Sequence, residues 1–288
     1  MERRNFIKAT TLLSFLLVSC KNLLKKSTVQ ENNFHLKNNI HHSVCQWCFK
    51  DIPLEDFLKI LNELGVKAID LIGPKDWSLL KKYNIDCSMC NGAEIGLTKG
   101  WNNPKYHKEL IKNYTEMIPK VAKAGYKNLI CFSGNRDGMD DKTGLQNCVK
   151  GLSEIMPLAE KHGVIIQMEL FNQINHPDYM CDSSKWGVEL CKALGSENFK
   201  LLYDIYHMQI QEGDIIRTIQ NNHQYFGHYH TAGVPGRHEI DSTQELYYPA
   251  IMRAILKTGY TGYVAQEFKP KSSNKIKSLK ESFQICDV

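Results

Sequence analysis

The sequence has no glycine-rich phosphate loop and no strong excess of charge. Gly134-Asn135-Arg136-Asp137-Gly138 does not match the dinucleotide or nucleoside-triphosphate fingerprints, which need glycines at fixed spacings between a strand and a helix. Lysine and arginine number 36 against 31 aspartates and glutamates, and six of these basic residues lie within residues 1–26. The rest of the chain is near neutral. This argues against nucleic-acid binding, because a basic face is the usual footprint of such proteins.

Cysteine is present in a number that does not suit a disulfide framework. There are ten cysteines, and nine remain when Cys20 is set aside as part of the N-terminal signal described below. The pairs Cys45-x-x-Cys48 and Cys87-x-x-Cys90 have the spacing of a four-cysteine zinc site. Each pair lies in or at the end of a predicted strand, where residues three apart point to opposite faces. We therefore interpret them as buried thiols of the core.

The first twenty residues indicate export rather than a folded element. Arg3-Arg4-Asn5-Phe6-Ile7-Lys8 resembles a twin-arginine signal, and the apolar residues 12–18 are too few to span a bilayer. Leu17-Val18-Ser19-Cys20 resembles a bacterial lipobox, so residues 1–20 are predicted to be a signal peptide with Cys20 as the lipidation site. Residues 21–39 are polar and are predicted to be a flexible tether.

This N-terminal segment determines the expected location. We expect an exported lipoprotein, at the periplasmic face or in the outer membrane, whose only contact with the membrane is the N-terminal lipid anchor. The alternative is an uncleaved amphiphilic tail.

A repeated unit of amphipathic segment, glycine and apolar run organises the remaining chain. It recurs at Gly65, Gly125, Gly163 and Gly259. Glycine ends a helix readily because it accepts positive φ, and the apolar run suits a strand buried on both faces. Predicted strands cover residues 40–47, 66–72, 85–90, 127–132, 164–169, 199–204, 224–230 and 260–267. Strands that alternate with helices in this way predict a single-domain α/β protein, a (β/α)8 TIM barrel over residues 40–288.

Local signals also predict two details of the helices. Asp51 is a candidate N-cap for the first helix, with Pro53 in its first turn. Pro157 lies within the apolar stripe that precedes Gly163, and it is expected to kink that helix.

Four successive predicted strands end on a side chain that can bind a metal ion: Glu169, Asp204, His230 and Glu267. In a TIM barrel such strand ends meet on one face. Three carboxylates and one imidazole suit Mn²⁺ or Mg²⁺, with Co²⁺ or Zn²⁺ as alternatives. Taken singly, the four also fit a surface glutamate, a helix N-cap, a core histidine and an ion pair with Lys269. Their coincidence on consecutive strands favours a metal site.

Further side chains follow the same strand ends. His207 comes three residues after Asp204, and Arg237 lies in a turn-rich loop, where its planar guanidinium could hold a substrate oxygen. A solvated loop arginine is the alternative for Arg237. Trp47 could cover the substrate or cap the barrel core. His228 could be a hydrogen-bonded core histidine.

The segments around these residues resemble hydroxypyruvate isomerase, a member of the xylose isomerase-like barrel superfamily, which also holds the ketose 3-epimerases. The resemblance covers residues 40–270. It is carried by Tyr203-Asp204-Ile205-Tyr206-His207-Met208, Gly227-His228-Tyr229-His230, Val234-Pro235-Gly236-Arg237-His238-Glu239 and Glu267-Phe268-Lys269-Pro270. Histidine at position 230 is closer to the epimerases, because hydroxypyruvate isomerases usually carry glutamine there.

The resemblance implies roles for individual residues. Glu169, Asp204, His230 and Glu267 would hold one divalent metal ion, and Glu169 and Glu267 would also act as acid and base. His207 and Arg237 would contact the substrate, with Trp47 as an aromatic wall beside it.

The activity implied is that of an isomerase of a small sugar or hydroxy-keto acid, which works through an enediolate. The alternatives are a ketose 3-epimerase, a metal-dependent lyase or hydrolase of modified sugars, and a solute-binding lipoprotein. A repair endonuclease on this barrel is disfavoured, because several metal ions and a basic groove would be expected. The oligomeric state stays open, with a homo-oligomer among the options.

Overall fold

The computed structural model describes residues 34–288. The predicted signal peptide, Cys20 and residues 21–33 of the predicted tether lie outside the described residues. Within residues 34–288, no helix combines the length and the apolar character needed to cross a membrane.

Eight parallel strands form the centre of the fold. They are β1 (His41–Val44), β2 (Ala68–Ile72), β3 (Asp86–Cys90), β4 (Asn128–Cys131), β5 (Ile165–Glu169), β6 (Phe199–Asp204), β7 (Phe226–Thr231) and β8 (Tyr263–Gln266). Their order in the sheet is β1-β8-β7-β6-β5-β4-β3-β2. A parallel bridge between Cys45 and Asp70 links the end of β1 to β2, so the sheet forms a nearly closed barrel. The predicted (β/α)8 TIM barrel is confirmed.

Helices pack around the outside of this barrel. They are α1 (Leu54–Glu63), α2 (Trp77–Lys82), α3 (His107–Ala124), α4 (Asp141–Ser153), α5 (Met156–His162), α6 (Ser184–Leu194), α7 (Ile205–Gln211), α8 (Ile215–Asn222), α9 (Tyr248–Lys257) and α10 (Lys275–Cys286). Short 3₁₀ turns cover Gln46–Phe49, Pro74–Asp76, Pro104–Tyr106 and His223–Tyr225. Gly125 and Gly163 end α3 and α5 with φ of +84° and +64°, as the repeated unit predicts.

The two predicted helix details are wrong. Pro53 is the N-cap of α1, and Asp51 instead accepts a 2.7 Å hydrogen bond from Lys275 Nζ. Pro157 does not kink one helix but separates two, because it lacks the N–H that would bond to the carbonyl four residues earlier, on Ser153. α4 therefore ends at Ser153, and the proline lies in the first turn of α5, where a missing N–H costs little.

The nine cysteines in the described part of the chain are all free, and eight of them are buried. The two C-x-x-C pairs do not meet as a four-sulfur cluster within residues 34–288, which agrees with their interpretation as thiols. One part of that argument is wrong. The sulfurs of Cys87 and Cys90 lie 3.5 Å apart, and the pairing of β2 with β3 is irregular beside them, so regular alternation does not hold there.

Candidate metal centre

The four predicted metal ligands lie at the C-terminal ends of four adjacent strands. Glu169 ends β5, Asp204 ends β6, His230 is the penultimate residue of β7, and Glu267 directly follows β8. The order of the sheet makes these strands neighbours, and Asp204 pairs with His230 in the register of β6 and β7. Each of the four offers one donor atom within 4.8 Å of the other three, and all four side chains are buried. A buried cluster of carboxylates and imidazole of this kind could bind a metal ion.

Among residues 34–288, two buried atoms of this cluster have no aligned hydrogen-bond partner: Oε1 of Glu169 and Nδ1 of His230. They lie 3.2 Å from each other, and Nδ1 lies 2.8 Å from Oε2 of Glu267. An unpaired buried carboxylate oxygen is costly, and a coordinated cation would satisfy it together with the imidazole nitrogen. The residues therefore fit one divalent cation with oxygen and nitrogen ligands.

Arg237 is brought to the same cluster by the loop after β7. Its Nη2 lies 3.2 Å from Oδ2 of Asp204 and also contacts Oε2 of Glu267. Its Nη1 lies 2.9 Å from Nε2 of His207. The alternative of a solvated loop residue is wrong, because this side chain is only 12% exposed. Its cationic charge offsets the negative charge of the buried carboxylates.

Burial and charge give the carboxyl groups different proton affinities. Burial raises the pKa of Glu169 to about 7, and burial raises that of Asp204 to about 6. Burial would also raise the pKa of Glu267, but Arg237 and His230 outweigh it and hold that pKa well below its usual range. Two glutamates in one site with opposite shifts are suited to separate acid and base roles.

His207 lies beside the cluster in neutral form. Burial and the nearby Arg237 guanidinium lower its pKa well below the usual range. Its backbone N–H donates a 3.2 Å hydrogen bond to Oδ1 of Asp204, which makes Asp204 the N-cap of α7 as well as part of the cluster. The interpretation of Asp204 as a helix N-cap is therefore confirmed, and its role as a metal ligand stays a prediction.

Trp47 reaches the site from the loop after β1. Its indole N–H donates a 2.8 Å hydrogen bond to Oε1 of Glu267. Its ring lies 5.5 Å from the Arg237 guanidinium, at the range of a cation–π contact. Its exposure of 36% shows that it lies at the rim of the site rather than inside the barrel core.

Sequence reasoning missed the residues that hold His207 in place. Asn172, in the loop after β5, contacts Nδ1 of His207 through its side-chain nitrogen at 2.7 Å and its backbone N–H at 3.2 Å. Asn175 in turn accepts hydrogen bonds from Asn172 and from the Tyr206 hydroxyl. The only signal in the sequence is that both asparagines follow a strand that ends on a predicted ligand.

Sequence reasoning also missed Asp70, a fully buried carboxylate in the middle of β2. Its Oδ2 is 2.6 Å from Nε2 of His228, so His228 is a hydrogen-bonded core histidine, as one interpretation held. Burial opposes ionisation of Asp70, but His228 and His230 outweigh it and keep the pKa of Asp70 below its usual range. A carboxylate inside a short apolar strand is the signal that could have identified it.

A cavity of about 570 Å³ opens at the opposite end of the barrel, lined by residues such as His41, Asp86, Lys127, Asn128 and Tyr263. These residues lie at the beginnings of strands or just before them. TIM barrel enzymes place their chemistry at the other end, where the strands finish, so this cavity does not compete with the buried cluster as the candidate site.

Comparison with known proteins agrees with this geometry. A 2-oxo-tetronate isomerase from Cupriavidus necator is 35% identical over 114 residues, which are 40% of this chain and 44% of that protein. A hydroxypyruvate isomerase from Escherichia coli is 27% identical over 152 residues, which are 52% of this chain and 58% of that protein. The chain thus spans about half the length of each of these relatives.

Solved structures share the fold. An AP endonuclease of family 2 from Brucella melitensis has a TM-score of 0.74 and 22% identity, and the match covers 84% of this chain and 96% of that one. At this identity the likeness shows the fold alone. The Xylose isomerase-like TIM barrel family matches residues 58–286, more than half of the sequence, and the chain belongs to this family.

Proposed function

We propose that this protein is a metal-dependent isomerase of a small hydroxy-carbonyl compound of the hydroxypyruvate or 2-oxo-tetronate type. The observation that carries the proposal is the position of Glu169 and Glu267, which lie in one buried cluster with opposite pKa shifts. The names of the isomerases from Cupriavidus necator and Escherichia coli support the reaction class.

Glu169, Asp204, His230 and Glu267 would hold one divalent cation, with Mn²⁺ or Mg²⁺ as the first candidates and Co²⁺ or Zn²⁺ as the others. When bound, the cation would act as a Lewis acid that polarises the substrate carbonyl and stabilises negative charge on the adjacent oxygens. The unpaired Glu169 Oε1 and His230 Nδ1 support this assignment.

The side chains would perform the proton transfer. One glutamate removes the proton from the carbon that bears the hydroxyl, and the substrate becomes an enediolate. The other glutamate returns a proton to the neighbouring carbon, and the hydroxyl proton passes to the former carbonyl oxygen, so that carbonyl and hydroxyl exchange positions. Arg237 donates hydrogen bonds to substrate oxygens, and neutral His207 and Trp47 complete the wall of the site.

Exchange of substrate hydrogen with solvent tests the proposal directly. The Mn²⁺-loaded protein is incubated in deuterated water with hydroxypyruvate, a 2-oxo-tetronate and a panel of keto-sugars, and deuterium incorporation and product are followed by NMR. We expect incorporation at the carbon beside the carbonyl, together with isomer formation for at least one acid. If the metal-loaded protein incorporates deuterium into none of these compounds, the proposal is contradicted.

A ketose 3-epimerase is the second candidate, because histidine stands at position 230. The same two glutamates would then act on opposite faces of one carbon, and the product would be an epimer rather than an isomer. The same spectra distinguish the two reactions. Release of an aglycone from an oxidised glycoside would instead indicate a lyase or hydrolase, and tight sugar binding without exchange would indicate a solute-binding protein.

A further inference from the structure

Asp70 is a buried carboxylate with one satisfied oxygen and one unsatisfied oxygen. Its Oδ2 accepts hydrogen bonds from His228 Nε2 at 2.6 Å and from Ser88 Oγ at 2.9 Å. Its Oδ1 has no aligned hydrogen-bond partner in the part of the chain that the structure describes. That oxygen lies 3.4 Å from Nε2 of His230. The arrangement fixes the orientation of the carboxylate and directs its second oxygen at the imidazole of a proposed metal ligand.

His230 has a different environment at each ring nitrogen. Nδ1 faces Glu169 and Glu267, whereas Nε2 faces Asp70 Oδ1 and the thiol of Cys45, which is 3.8 Å away. A neutral imidazole carries one proton, and only the nitrogen without it can bind a cation. In the metal-free protein, carboxylates face both nitrogens of His230. When a cation takes the lone pair of Nδ1, the remaining proton lies on Nε2, and Asp70 Oδ1 is placed to accept it.

We infer that Asp70 is a positioning residue, which keeps His230 in the Nε2–H tautomer and turns its Nδ1 toward the metal centre. The inference rests on the proposed function for the cation itself. His228 and Ser88 act through Asp70, since they hold its carboxylate in place and contact none of the four proposed ligands by hydrogen bond.

Cys45, Asp70 and His230 could instead form a second metal site, because they offer donor atoms within 4.8 Å of one another. Binding there would use Nε2 of His230, and binding at the first site uses Nδ1. Simultaneous binding of one cation at each site would require His230 to lose its last imidazole proton. The structure therefore favours a proton on Nε2 and a stoichiometry of one cation per chain. Two tightly bound cations per chain would overturn the inference.

Titration of the metal-free full-length protein with Mn²⁺ by calorimetry, and with Co²⁺ by visible absorption, measures the effect of Asp70→Asn. We expect the dissociation constant to rise by about tenfold or more, the range found when an outer partner of a metal-binding histidine is removed. The matched control is Asp287→Asn, since Asp287 also contacts a buried histidine, His42, at 3.5 Å but lies away from the cluster. We expect this control to bind as the unmodified protein does.

Ser88→Ala distinguishes the effect of the Asp70 carboxylate from the effect of the hydrogen bonds that hold it. This change removes one hydrogen bond to Asp70 but leaves its charge beside His230, so the dissociation constant should rise less than threefold. A loss as large as that of Asp70→Asn would assign the effect to the network and overturn the role of the carboxylate.

Long-range ¹H–¹⁵N spectra of the unmodified protein loaded with diamagnetic Zn²⁺ report the tautomer of His230 without any measurement of activity. We expect the Nε2–H pattern, and the Nδ1–H pattern would overturn the inference even if Asp70→Asn fails to fold. Absence of metal binding by the unmodified protein would remove the proposed function and the inference with it. Equal metal dissociation constants for the unmodified protein and Asp70→Asn would instead contradict only the inference.

Discussion

Trp47 donates its indole hydrogen bond to Oε1 of Glu267, at 2.8 Å, from a loop that is 220 residues distant in sequence. The other oxygen of the same carboxylate contacts Arg237 and His230. Glu267 therefore has a neutral donor on one oxygen and cationic Arg237 on the other, which explains how a buried carboxyl group stays ionised. Trp47 is thus a polar partner of the proposed acid–base pair and not only an aromatic wall.

Replacement of Trp47 by phenylalanine should lower kcat by about tenfold with little change in KM, because one hydrogen bond to a charged group is lost while the aromatic ring remains. Steady-state kinetics on the substrate identified by hydrogen exchange measure the effect. Trp77→Phe is the matched control, since it removes a 2.9 Å indole hydrogen bond to the carbonyl of Ile72. An equal loss of kcat in both variants would contradict a specific role for Trp47.

Glu267→Gln should abolish isomerisation while leaving the barrel folded. The amide is nearly the same size as the carboxylate but cannot take up a proton, and general acid–base catalysis contributes about 10²- to 10⁴-fold. Deuterium exchange measures the loss, and circular dichroism checks the fold. Glu245→Gln makes the same change at an exposed glutamate in the loop after β7 and should keep full activity. Near-normal turnover by Glu267→Gln would refute the assigned role.

Arg237→Lys should raise KM by about tenfold and also lower kcat. Lysine keeps the positive charge but cannot present a planar fork to Asp204, Glu267 and a substrate oxygen together. Arg253→Lys, on the exposed side of α9, is the matched control, and we expect it to leave KM and kcat unchanged. An unchanged KM in Arg237→Lys would show that this side chain serves only to balance the buried charge.

The barrel could be predicted because its signals are local. A helix, a glycine that accepts positive φ and an apolar strand follow one another directly, as at Gly125 and Gly163, and each unit is complete within about thirty residues. The proposed ligands could be found for a related reason. Strand ends share one face of a barrel, so a chemical type repeated at strand ends becomes a cluster in space.

Asp70 could not be predicted in the same way, because its partners are distant in sequence. His228 is 158 residues away, and the pair meets only when β7 and β2 line one nearly closed barrel. Asn172 and Asn175 depend on the path of a loop that no periodic pattern describes. The prediction of Asp51 as the N-cap of α1 is wrong for a local reason, since Pro53 occupies that position.

Addition of Mn²⁺ should raise the melting temperature of the metal-free protein by about 5–10 °C at a hundredfold excess over the dissociation constant. Such an excess contributes about 2.7 kcal/mol to stability, and 1 kcal/mol shifts the melting point of a chain of about this size by about 2–4 °C. Differential scanning fluorimetry measures the shift.

Asp204→Asn should remove most of this shift, because it takes one anionic donor from the cluster. Asp241→Asn, at a partly exposed loop position, provides the control and should keep the full shift. If Mn²⁺ stabilises Asp204→Asn as strongly as the unmodified protein, the cation binds elsewhere.

We propose that Cys20 carries the lipid that holds the protein at the membrane, on the basis of the lipobox-like Leu17-Val18-Ser19-Cys20 and the twin arginines before it. Cys20→Ser should therefore move the protein from the membrane fraction to the soluble fraction of the producing cells, and mass spectrometry of the N-terminus should lose the acyl groups. Cys191→Ser, a change at a buried thiol in α6, should leave the distribution between fractions as it was. Replacement of Arg3 and Arg4 by lysine should instead retain the protein inside the cell, so the two signals can be tested separately. A membrane-bound protein that persists in the Cys20→Ser variant would contradict the lipid anchor and favour an uncleaved amphiphilic tail.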